Sequence, residues 1–113
     1  MRTIIAGSRT IDNYDLVKHC IKESGFDITE VVSGCAKGAD RLGEKYAEEN
    51  NIPIKRFPAQ WDLYGKSAGY KRNMQMAEYA EALIVIIENN SRGSNHMKNI
   101  AEKIGLKVYS LIL

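Results

Sequence analysis

Arginine, carboxylate and histidine side chains stand beside small-residue turns in this sequence, a combination suited to holding a phosphate ester. Arg9 follows Gly7-Ser8, and Asp40 closes the run Ser33-Gly34-Cys35-Ala36-Lys37-Gly38-Ala39. Arg72 precedes Asn73, and His96 ends the run Ser91-Arg92-Gly93-Ser94-Asn95. Small residues let backbone N–H groups approach an anion, and helix N-termini add partial positive charge. A guanidinium can contact phosphate through two parallel hydrogen bonds. The expected ligand is therefore phosphate-bearing, a nucleotide or something derived from one. Gly34, Cys35, Ala36, Lys37, Gly38, Ser91, Gly93, Ser94 and Asn95 would hold its phosphate or ribose. Trp61 or Tyr64 would cover its base.

Each of these residues also has a plainer use. The glycines can serve tight turns and close helix packing alone. Lys37 would then be solvated, and Asp40 would be an acid in the first turn of a helix. Arg9 can pair with Asp12 or Asp40, and Trp61 can anchor its own loop. Cys35 suits a small-residue position, and Cys20 falls on an apolar helix face. Were the chain an enzyme, Arg72, Asp40 and His96 would be its catalytic groups. His96 has no partner placed by sequence to orient it, so its use as a base stands on little.

The elements that must position these side chains alternate along the chain. Strand patterns cover Arg2–Ala6, Ile28–Ser33, Ile52–Phe57, Ala82–Ile87 and Leu106–Leu113. Helical spacing covers Asp12–Ser24, Ala39 to about Asn50, Lys66–Tyr79 and Asn95–Lys103, with an irregular loop over Pro58–Gly65. The order β-α-β-α-β-α-β-α-β implies an α/β fold, a parallel five-stranded sheet with helices on both faces. A Rossmann-like strand order of 3-2-1-4-5 puts the ligand crevice between the first and fourth strands. Ala82–Ile87 and Leu106–Leu113, the longest apolar strands, are expected in central or well-covered positions.

Length and composition narrow the class. The 113 residues suit one domain, 1–113, and 44% hydrophobic with 27% charged residues is ordinary for a globular chain. No apolar stretch approaches the roughly 20 residues that span a bilayer, and no signal-peptide pattern follows Met1-Arg2, so no membrane partner and a cytoplasmic location are expected. A net charge of +2, with bases and acids interleaved, argues against nucleic acid as a partner. Cys20 and Cys35 are too few for a zinc site or disulfide scaffold, and no metal or cofactor is expected. Gly34–Asp40 lacks the Lys-Ser or Lys-Thr of a Walker loop and does not match a dinucleotide fingerprint.

Taken in order, Gly7-Ser8-Arg9, Ser33–Arg41, Phe57–Lys66, Ala68-Gly69, Arg72-Asn73, Met76-Ala77 and Ser91-Arg92-Gly93-Ser94 resemble the small bacterial and phage branch of the SLOG superfamily. That superfamily is named for the Smf/DprA and LOG proteins. The resemblance covers nearly the whole chain and implies a Rossmann-like domain that binds a nucleotide or nucleotide-derived molecule. In a virus it would sequester such a signal; in a bacterium it would sense one. LOG enzymes hydrolyse the N-glycosidic bond of a nucleoside monophosphate, and Arg72, Met76, Glu81, Ala82, Gly93 and Ser94 stand at places matching their motif. Asn73 replaces the motif's Lys, and Met97 falls where its final Glu would be. The favoured reading is thus a binding module. An N-glycosidic or phosphoester hydrolase is the alternative, and DprA-like single-stranded DNA binding the second alternative. A homodimer or larger assembly is expected, with Trp61–Tyr70 as its contact or as a lid.

Overall fold

The computed structural model describes all residues, Met1–Leu113. Its strands are β1 (Arg2–Gly7), β2 (Glu30–Ser33), β3 (Ile54–Arg56), β4 (Ala82–Ile87) and β5 (Lys107–Ile112). They form one parallel sheet in the order β3-β2-β1-β4-β5, the Rossmann-like arrangement expected from the element order. The helices are α1 (Tyr14–Ser24), α2 (Ala39–Glu49), the four-residue α3 (Trp61–Tyr64), α4 (Ala68–Tyr79) and α5 (Arg92–Ile104).

Side chains alternate across a strand, so neighbouring residues feed different cores. Ile4, Leu83, Val85 and Ile87 point to one face, where they meet Met76 and Ala77 of α4 and Met97 and Ala101 of α5. Ile5, Val31, Ile84 and Ile86 point to the other, against Val17, Cys20 and Ile21 of α1 and Ala39 and Ala47 of α2. With helices on both faces, β4 needs no polar side, which is why its sequence Ala82–Ile87 is continuously apolar and fully buried. Each buried Ile, Leu or Val contributes roughly 1.5–3 kcal/mol by leaving water.

Differences from the sequence reading concentrate at element ends. The Asn13 side chain caps α1 by accepting from the Leu16 amide at 3.1 Å, so the helix starts after it. Residues read as irregular after Pro58 include the α3 turn, and a 3-10 turn over Gly65–Ser67 leads into α4. Helix α5 begins at Arg92 and not at Asn95, because Ser91 is its N-cap. The expectation of a well-covered last strand is corrected. β5 pairs only with β4 and is a sheet edge, with Lys107, Ser110 and Ile112 exposed. Its apolar content comes from its inner contacts, where Tyr109 and Leu111 pack against one core and Val108 against the other.

Candidate functional site

The chain reverses its direction of sheet growth between β1 and β4, and a cleft lies at the C-terminal ends of these two strands. The cleft encloses about 470 Å³, within the range of small-molecule sites. Its floor is Ala6, Gly7, Ser8, Arg9 and Thr10 after β1, and Glu88, Asn89, Ser91, Gly93 and Ser94 after β4. Ala36 and Asp40 come from the second turn. Trp61, Lys66, Gly69, Tyr70, Arg72, Asn73 and Met76 supply the α3–α4 wall, and Met97 closes the base.

Local chemistry explains how each part is held. The Ser8 amide donates to Ile86 O at 3.0 Å, continuing the β1–β4 ladder past its last residue. The Ser8 hydroxyl then donates to Glu88 O at 3.0 Å and accepts from Glu88 N at 2.8 Å. Ser8 is buried and works as a clamp between the two strand ends. At the start of α5, Ser91 Oγ sits 3.1 Å from Ser94 Oγ and accepts weakly from Ser94 N at 3.5 Å. The amides at Arg92 and Gly93 precede the first intrahelical bond, from Asn95 N to Ser91 O at 3.0 Å, and stay available to an anion.

The second turn is the opposite case. The Arg72 guanidinium donates to Gly34 O, and Asp40 Oδ2 accepts from Ala36 N at 3.2 Å. A Cβ on Gly34 would meet both of these side chains. Gly38 has φ +80°, and a Cβ there would strike the Ser8 and Arg9 carbonyls. Ser33 Oγ donates to Glu44 at 2.6 Å and accepts from Cys35 N at 3.1 Å, and Glu44 is paired with Arg56 at 3.0 Å. The Ser33 hydroxyl, the Gly34 carbonyl, the Cys35 and Ala36 amides and the Asp40 carboxylate are therefore engaged within the protein.

Burial dominates the electrostatics of its core. Asp40 is 5% exposed, and loss of hydration pushes its carboxyl from the ordinary 3.8 up to about 6. The Ala36 amide and the Arg72 charge oppose this shift, and Glu44 adds to it. Burial likewise lowers Arg72, against the attraction of Asp40. In both partners desolvation outweighs their mutual attraction. Burial also raises the Cys35 thiol.

Arg72 Nε donates to Asn73 Oδ1 at 3.1 Å, which assigns the amide orientation. Asn73 Nδ2 then donates to Gly93 O at 3.2 Å and to His96 Nδ1 at 3.1 Å. An amide NH₂ can only donate, so Nδ1 accepts and the imidazole hydrogen lies on Nε2. The orienting partner that the sequence did not supply for His96 is thus Asn73, brought from α4. Burial lowers the His96 pKa, and its ring lies 4.3 Å from that of Tyr70.

Of the residues proposed from sequence, Gly7, Ser8, Arg9, Ala36, Asp40, Trp61, Arg72, Asn73, Ser91, Gly93 and Ser94 line the cleft. Gly34 and Cys35 line an adjoining hollow of about 160 Å³ with Arg9, Trp61 and Arg72. Lys37, Gly38, Tyr64, Asn95 and His96 lie outside both hollows. Lys37 is exposed. Tyr64 receives the Lys71 ammonium over its ring at 4.7 Å, and Asn95 ties Asn90 and Ser91 to the helix start. Arg9 makes no ion pair with Asp12 or Asp40 within 4.0 Å, which leaves it free to face the cleft. Thr10, Lys66, Gly69, Tyr70, Glu88 and Asn89 were missed. Glu88 and Asn89 had a usable signal, since they directly follow the buried strand at the switch point. Lys66, Gly69 and Tyr70 sat inside the stretch read as a contact or lid.

Residues 1–64 match the YAcAr family, described as the YspA, cpYpsA-related SLOG family. Gene 61 protein of Mycobacterium phage D29 is 29% identical over 117 residues, covering 95% of this chain and 93% of that protein. Among solved structures, DNA processing protein A (DprA) from Streptococcus pneumoniae superposes with a TM-score of 0.77 at 20% identity. The match covers 96% of this chain but 49% of the DprA chain, so the present fold corresponds to about half of that protein.

Proposed function

Because the chain belongs to the YspA, cpYpsA-related SLOG family, we propose that its cleft binds a nucleotide or nucleotide-derived small molecule. The observation that carries this reading is the cluster of cations on the cleft. Arg9 and Lys66 line it with no ion pair within 4.0 Å, and Arg72, braced by Gly34 O and drawn to Asp40, adds a third positive charge. The first-turn amides of α5 add donors on the same side. On the same α3–α4 wall as Lys66 and Arg72, half-exposed Trp61 and Tyr70 offer ring faces on which a base can stack. Positive charge for an anion with flat rings beside it suits a nucleotide.

Domain limits of 1–113 and assembly into a dimer or larger belong to the same proposal. Leu63, Tyr64 and Met74 add exposed apolar surface beside Trp61 and Tyr70, which supports a contact through this segment. The expectation against nucleic acid loses its ground, because the fold neighbour is named for DNA processing. Binding of single-stranded DNA is therefore carried as the second reading, with the same cations on the phosphates and the same rings under the bases.

Isothermal titration with nucleoside 5′-monophosphates, inorganic phosphate and an oligodeoxythymidine tests the two readings together. Saturable binding of the mononucleotides that weakens at least tenfold in Arg72→Ala is the expected result. Tight binding of the oligonucleotide alone, with a steep salt dependence, would replace it with the DNA reading. Free base accumulating in the wild-type mixture, and absent with Arg72→Ala, would make the protein a hydrolase.

A further inference from the structure

A carboxylate side chain is unexpected in a cleft read as a phosphate site, yet Glu88 lines this one. It stands at the C-terminal end of β4, and its position is set at several points. Its backbone N–H and C=O are both bonded to the Ser8 hydroxyl, at 2.8 and 3.0 Å. Its Oε2 accepts from the Thr10 hydroxyl at 2.5 Å. Its Oε1 has no protein donor, and no Lys or Arg lies within 4.0 Å of the carboxylate. A carboxylate is acceptor-only, so whatever faces Glu88 must bring hydrogen-bond donors. A phosphate placed there would be repelled.

A nucleotide carries two kinds of donor, the ribose hydroxyls and the exocyclic amines of certain bases. The rings available for stacking, Trp61 and Tyr70, belong to α3 and α4, whereas Glu88 belongs to the sheet edge beside the Ser8–Thr10 turn. A base stacked on the helical wall leaves the sugar to meet Glu88. Resting on the reading of the cleft as a nucleotide site, we propose that Glu88 accepts from the vicinal hydroxyls of a ribose and selects ribonucleotides over deoxyribonucleotides. Thr10 holds the carboxylate in position by occupying its other oxygen.

Titration calorimetry with the ribonucleoside 5′-monophosphates, their 2′-deoxy counterparts and inorganic phosphate, on wild type, Glu88→Ala and Glu88→Gln, tests this. A charge-assisted hydrogen bond to the 2′-hydroxyl predicts at least about tenfold tighter binding of the ribo form. Glu88→Ala should bring the pair to within about twofold and leave inorganic phosphate bound as well or better. Glu88→Gln, of the same shape, should narrow the gap in the same direction and serves if the alanine variant does not fold. Equal binding of ribo and deoxy forms by wild type overturns the proposal while leaving the nucleotide site standing. So does a gap that both variants retain, or a preference that follows the amino groups of the base. Binding of no mononucleotide at all overturns the nucleotide site and this proposal with it.

Discussion

The turn after β2 and the turn after β4 read alike in the sequence, each a glycine-bearing segment between a strand and a helix, but the fold uses them in opposite ways. In the turn after β2, the space beside Gly34 is filled by Arg72 and Asp40, and the space beside Gly38 by the carbonyls of Ser8 and Arg9. Those glycines are demanded by other elements of the protein. In the turn after β4, Gly93 lies in the first turn of α5 with nothing within 4 Å of where a Cβ would stand. No steric contact within the protein requires glycine there. One turn is packed against its neighbours and braces the site, and the other has open space beside its glycine. A glycine-rich segment thus signals close approach, and only its neighbours show whether the protein or a ligand does the approaching.

The largest effect expected from this contrast is at Gly38. Alanine there must adopt φ near +80° and push into two backbone carbonyls, for a loss of roughly 3 kcal/mol or more in urea unfolding. A loss below about 1 kcal/mol would show that the brace is soft.

Asp40 gives a pH test of the same turn. Its folded pKa of about 6 lies above its ordinary 3.8, so the folded state holds its proton more tightly than the unfolded state. The stability it contributes is present below about pH 4 and is lost as pH rises through 6, in all about 3 kcal/mol. Unfolding measured from pH 4 to 8 should show this decline in wild type and a flatter profile in Asp40→Asn. An unchanged profile would place Asp40 in contact with water.

Arg72 bonds the β2 turn directly and reaches the β4 turn only through Asn73, so its loss should be felt first at Asp40. Arg72→Ala removes the charge that holds the Asp40 pKa down, which carries its decline in stability to higher pH. The variant should therefore be more destabilised relative to wild type at pH 8 than at pH 5, by about 1–2 kcal/mol. Equal destabilisation at both values would separate Arg72 from Asp40 energetically.

The smallest effect distinguishes the open turn most sharply. Gly93→Ala has room and a helical backbone, so it should stabilise the fold by about 0.5–1 kcal/mol in thermal unfolding. If a phosphate approaches the α5 amides, the same change weakens nucleotide binding. Lower affinity on a more stable fold would confirm that this glycine serves the ligand. Unchanged affinity would move the phosphate elsewhere in the cleft.

Much of the fold was legible because its signals are local. The fully apolar run Ala82–Ile87 implied a strand covered on both faces, and the alternation of strands with amphipathic helices implied the parallel sheet. Gly25 and Gly105, both with positive φ, stop α1 and α5. The site was only partly legible. Gly7, Arg9 and Asp40 were found because each adjoins a turn at a strand end. Lys66 and Tyr70 were read only as part of a contact or lid, because their place on the cleft depends on how the start of α4 and the turn before it pack near the β1 and β4 turns. Tyr64 was offered as a base-stacking ring, but α3 turns it toward Lys71.

What the sequence determined by itself was the order of elements, the strand-end turns and the presence of small residues and arginines in them. Those follow from hydrophobic periodicity and backbone preference, which act over a few residues. The tertiary structure alone decided what each turn is for. It brought Arg72 across to the Gly34 carbonyl, placed Asn73 against His96, and clamped Glu88 to Ser8 across strands adjacent in space and distant in the chain. Burial, charge pairing and the direction of a hydrogen bond depend on such neighbours, and sequence spacing does not carry them.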